Sequence, residues 1–182
     1  MTDDAANASA RPDLDQLPSD VAAVATGARR VLVPTDDHNE PARARARQAA
    51  VRVAAATGAE LVLLDRSEAT WGDTPHTELH DRDALAAAGK DGLVGQVDEA
   101  AAAGVAAVVW AHSLPAPEAL GDAVRDLAVD LVVVPDDFDK PGLLDRLRTK
   151  SVEERAFDAV GDTPVVVVAE DGSLSVARSG GR

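Results

Sequence analysis

The sequence predicts an α/β fold, a five-stranded parallel sheet with helices on both faces, as in a flavodoxin-like three-layer sandwich. Three observations predict it. Short apolar runs such as "VLVP", "LVLL" and "VVVV" recur without polar alternation, and such runs belong to strands buried on both faces. Segments with helical periodicity separate them, as parallel crossovers require. The chain has 182 residues, 46% hydrophobic and only 2% aromatic, so its core is built from small aliphatic contacts that let helices lie close on a sheet.

The elements follow in order. Residues 1–27 are polar, acidic and rich in Ala and Pro, and are expected to be a flexible tail with one short turn near Ser19–Ala25. "RVLVP" (30–34) is the first strand. "EPARARARQAAVRVAAATG" (40–58) is a helix, with Pro41 in its first turn and Gly58 as its stop. Its apolar face is Ala46, Ala49, Ala50, Val53 and Ala54, which leaves Arg43, Arg47 and Arg52 as a solvated basic stripe. "ELVLLD" (60–65) is the second strand, and residues 66–90 are polar with no assignable element. "DGLVGQVDEAAAAG" (91–104) is a helix weakened by Gly92 and Gly95, and "VAAVVWAH" (105–112) is the third strand. A helix at 116–129, a strand "DLVVVP" (130–135), a loop, a helix at 152–160 and a last strand "TPVVVVAE" (163–170) complete the domain, 28–169. Residues 170–182 are expected to be a second flexible tail. The strand order consistent with this alternation is 3-2-1-4-5 or 2-1-3-4-5, and in both a ligand would bind beyond the carboxyl ends of the strands, near the point where the order reverses.

Composition excludes several function classes. The net charge of −14 opposes nucleic-acid binding, which needs clustered Lys and Arg. Without cysteine there is no disulfide, thiolate metal site or cysteine nucleophile. The stretch "MTDDAANASARPDLDQLPSD" has neither a basic start nor an apolar core, and no segment approaches a membrane span, so a cytoplasmic location is expected.

The order of motifs resembles the universal stress protein family. "RRVLVPTD" looks like that family's opening strand, which ends in an aspartate. "ATGAELVLLD" looks like the end of its first helix and its second strand, and "ALGDAVRDLAVDLVVVP" is similar to its fourth strand with the helix before it. "KSVEERAFDAVGDTPVVVV" looks like its final loop, helix and strand. The likeness covers roughly residues 29–169 and implies the order 3-2-1-4-5, with strands one and four side by side.

The nucleotide binders of that family share a pattern: Gly, two residues, Gly, nine residues, Gly, then Ser or Thr. Ser151 matches its last position, and the three glycines then fall on Asp137, Lys140 and Lys150, so all three are missing. Glycine lets the backbone reach positive φ and approach phosphate closely. A side chain there costs roughly 1–2 kcal/mol in the left-handed region. Asp136, Asp137 and Asp139 add like charge, and a unit pair at 4 Å is worth about 4 kcal/mol at an effective dielectric near 20. The resemblance therefore implies a degenerate nucleotide site made of Thr35, Asp36, Leu64, Asp65, Asp137, Lys140, Lys150, Ser151 and Val152, with no cofactor expected. The alternative is ATP or AMP with Mg, held by an atypical loop in which Lys140 and Lys150 replace glycine amides with side-chain charge.

Other candidates have plainer readings. Asp36, Asp37, Asp136 and Asp137 emerge together if strands one and four are neighbours, and could hold a hard cation, but aspartates after strands more often cap helices and turns. No metal site is expected. Ser151 and Glu154 form a capping box. A receiver domain would need Asp, Ser or Thr, and Lys after strands three, four and five, where this chain has His112, Pro135 and Ala169-Glu170. His76 and His80 are four apart in a polar setting, and no Gly-x-Ser-x-Gly elbow accompanies His112. No nucleophile–base constellation exists, so an enzyme of the wider nucleotide-hydrolase fold group is the least favoured reading. The expected function is a non-catalytic stress-response or regulatory module that contacts protein partners. In the order 3-2-1-4-5 the last strand is an edge, and Val165, Val166, Val167 and Val168 would be hazardous if left open. The family resemblance suggests a homodimer paired through these strands.

Overall fold

A computed structural model describes residues 14–37, 40–66, 77–112, 116–136, 138 and 159–177. A single 3-10 turn, Leu14–Gln16, precedes α1 (Ser19–Ala25), β1 (Arg30–Thr35), α2 (Pro41–Thr57) and β2 (Glu60–Asp65). Then come β3 (Thr77–His80), α3 (Arg82–Ala87), α4 (Asp91–Ala102), β4 (Ala107–His112) and α5 (Ala116–Asp126). β5 (Leu131–Pro135), β6 (Val165–Val168) and β7 (Leu174–Val176) follow.

These strands form one sheet in the order β3-β4-β2-β1-β5-β6-β7. The five inner strands are parallel and correspond to the expected 3-2-1-4-5. A short antiparallel strand is added at each edge, β3 on β4 and β7 on β6. Neither added strand is evident in the sequence, because each has only three or four residues and carries polar side chains.

The period of two along each strand divides the core. Val31, Val33, Leu61, Leu63 and Val133 face α1, α2 and α4, while Leu32, Val62, Leu64, Trp110 and Val132 face α5. Ala46, Ala49, Ala50, Val53 and Ala54 of α2 are fully buried, and such small residues let the helix lie close on β1 and β5. Pro41 opens α2, and Gly58 ends it in the left-handed region at φ 75°.

Three expectations change. Arg43 and Arg47 do not belong to a solvated stripe: Arg47 is 3% exposed and Arg43 turns to an acid at the end of β1, while Arg52 alone of the three is exposed. The N-terminal tail holds a real helix, since Val21 and Ala25 of α1 are fully buried. The last strand is not an edge, because β7 pairs along Val166–Val168. The open edge that motivated a homodimer through Val165–Val168 is therefore covered from within the chain.

Candidate functional site

From β1 the chain moves outward to β2 and β4 on one side and returns to β5 and β6 on the other. The reversal lies at the carboxyl end of β1, where an open α/β sheet leaves a crevice. Thr35, Asp36 and Asp37 enter it from β1, Asp65 and Arg66 from β2, and Asp136 and Phe138 from β5.

The polar groups on the α2–α4 side are engaged with one another. The fully buried Thr35 hydroxyl donates to Gln96 Oε1 at 2.6 Å, and Gln96 Nε2 donates to the Asp36 carbonyl at 2.7 Å. Gln96 is 3% exposed and comes from the buried face of α4. Asp36, 4% exposed, pairs through its carboxylate with Arg43 in the first turn of α2. Asp37 accepts the Leu93 N–H at 3.1 Å and so caps α4, whose own N-cap residue, Lys90, makes no side-chain cap. Gly92 permits this, because a Cβ there would collide with the Asp37 carbonyl and carboxylate. Arg47 joins Glu99 at 3.0 Å and ties α2 to α4 a further turn along.

A second contact crosses the crevice. The Arg66 guanidinium lies 4.6 Å from the centroid of the Phe138 ring. Arg66 follows β2 and Phe138 follows β5, the two strands that flank β1. The Arg66 N–H donates to the Thr35 carbonyl at 2.9 Å, and Phe138 packs on the cluster that contains Leu64.

Of the expected site residues, Thr35 and Asp65 are paired across β1 and β2, and both are buried. Leu64 is fully buried on the opposite face, as the strand period requires. Asp137, Lys140, Lys150, Ser151 and Val152 lie outside the described residues, as do His76 and most of the expected helix 152–160. Among the described residues, no group of three or more His, Asp or Glu is placed to hold a metal ion. Sequence reasoning missed Gln96, Arg43 and Arg47 as participants. Gln96 left a trace: it interrupts the apolar spacing Leu93, Val97, Ala100 on the buried side of its helix.

No protein-family model matches the chain, and no curated protein sequence does. Solved structures do. One is a universal stress protein in complex with cAMP, 22% identical, with a TM-score of 0.53 over 79% of this chain and 98% of that one. Another is a universal stress protein from Archaeoglobus fulgidus DSM 4304, 20% identical, with a TM-score of 0.54 over 76% of this chain and 43% of that one. The order and direction of the inner strands, the helices on both faces and these likenesses agree: the chain has the universal stress protein fold.

Proposed function

We propose that this chain is a universal stress protein-like regulatory module that acts by contacting protein partners, without turnover, and that its crevice at the end of β1 does not take an adenine nucleotide by a glycine loop. The observation that carries the reading is the engagement of Thr35 and Asp36 by Gln96 and Arg43. A ligand that drew on the Thr35 hydroxyl or on the Asp36 carbonyl and carboxylate would have to displace a buried ion pair or buried hydrogen bonds, and each orphaned buried group costs about 1–3 kcal/mol. The absence of glycine at 137, 140 and 150 supports the same reading from the sequence. A cytoplasmic location belongs to this proposal. It is consistent with the described residues, none of whose helices is long and apolar enough to cross a membrane. Calorimetric titration of the full chain with ATP-Mg, AMP and cAMP tests it: no saturable heat is expected, and micromolar affinity for any of the three contradicts it.

A second reading keeps a nucleotide. It is favoured by the complex of one structural neighbour with cAMP. Lys140 and Lys150 would then supply the charge that glycine amides supply elsewhere. Under this reading Lys150→Glu abolishes binding, and unchanged binding in that variant removes it.

A further inference from the structure

The two ends of the described chain meet at the β7 edge of the sheet. β7 has only three residues and follows β6 through a tight turn. In that turn Asp171 accepts the Ser173 N–H at 2.9 Å and the Ser173 hydroxyl at 2.6 Å, and Gly172 takes φ 82°. So short a strand is weakly held by its own ladder. It is held from outside as well. The outward-facing Val176 N–H donates to the Asp20 carboxylate of α1 at 3.4 Å, across 156 sequence positions. Val21 and Ala25 of α1 are fully buried in the core cluster on which Leu174 and Val176 also pack.

Behind β7 lies β6, four consecutive valines with no charge. An open edge of this kind pairs readily with another strand. Because the edge is the same in every copy, antiparallel pairing about a two-fold axis is self-complementary. The ladder shows which groups would be freed. Ala177 donates to the Val165 carbonyl and Ala169 to the Ser173 carbonyl, so the alternate residue, Val167, also has its N–H towards β7.

We propose that α1 is a clasp: it holds β7 on the outer edge of β6 and thereby keeps Val165–Val168 from pairing with a second copy of the chain. The clasp makes the N-terminal segment, so tail-like in composition, the element that sets the assembly state.

Amide exchange and sedimentation velocity on the full chain test this, using the wild type, Asp20→Ala, Val21→Ser and Ser175→Pro. The wild type is expected to sediment as a monomer. Val21→Ser removes buried apolar contact from α1, and Ser175→Pro removes the N–H that faces Val167. Both are expected to speed exchange at Val167 and Ala169 by roughly tenfold or more, with Leu63 in the centre of the sheet unaffected, and to shift sedimentation towards dimer as concentration rises. Asp20→Ala is a mild change at an exposed position, and several-fold faster exchange at Val176 and Val167 is expected. A wild-type dimer, unchanged exchange at Val167 in Asp20→Ala, or a Ser175→Pro chain that stays monomeric at every concentration would each overturn the proposal.

Discussion

The two ends of β1 are pinned in different ways. At the amino end, Asp130 accepts the N–H groups of Arg29 and Arg30 at 2.8 and 3.0 Å. There Arg30 pairs with Glu60 at 2.7 Å, with side chains 36% and 34% exposed. At the carboxyl end, Thr35, Asp36 and Gln96 are at most 4% exposed and are bonded to one another. Water can replace a lost partner at the amino end but not at the carboxyl end, so the same kind of hydrogen bond carries a different penalty when broken. The carboxyl end is where an open α/β sheet leaves its crevice, and there Thr35 and Asp36 are engaged by Gln96 and Arg43.

The largest expected effect therefore lies at Gln96. Gln96→Leu keeps the volume but orphans the Thr35 hydroxyl and the Asp36 carbonyl, and should destabilise the chain by about 2–3 kcal/mol in urea unfolding. Asp130→Ala, at the amino end, removes two acceptor contacts from a half-exposed site, and should cost about 1 kcal/mol. Equal losses in the two variants would break the contrast between the ends. Smaller still, and opposite in sign, is Ala128→Gly. Ala128 sits at φ 50° in the turn between α5 and β5, where a Cβ is strained. Glycine there should raise stability by about 0.5–1 kcal/mol, read as a higher thermal midpoint.

The smallest effect is pH-dependent and lies away from both ends. The hydrogen bond from Arg82 holds the Asp98 carboxyl below its ordinary range, and the Ser173 hydroxyl and N–H do the same for Asp171. A depressed folded value means that this contribution is fully present above about pH 4 and is lost as pH falls through the lowered values. Because both groups are exposed, Asp98→Asn should remove only a minor part of the acid sensitivity of unfolding, measured between neutral pH and the acid limb.

The parallel sheet was legible because its strands are long enough and apolar throughout, and because Pro41 and Gly58 bracket α2. Their order came from the resemblance of the chain to a known family. β3 and α3 were hidden in residues 66–90, since a four-residue polar edge strand and a six-residue helix with one buried side chain, Leu85, leave no period to detect. β7, and the buried helix where only a short turn near Ser19–Ala25 was expected, were hidden for a related reason: each is held by contacts with distant residues rather than by its own pattern. In the candidate site the acids after β1 were visible, but their partners were not. Arg47 reads as a surface residue until Glu99, 52 positions on, is placed beside it. Gln96 alone could have been suspected, as an amide in an apolar row.

The proposed lack of a nucleotide at the carboxyl end of β1 rests on the engagement of Thr35 and Asp36 by Gln96 and Arg43. Its most direct measurement is an NMR titration with AMP that follows the backbone amides of Asp36 and Leu93 and the side-chain amide of Gln96. The account predicts no saturable shift at any of the three, even at millimolar AMP. Saturable shifts at these groups with a micromolar dissociation constant would contradict it.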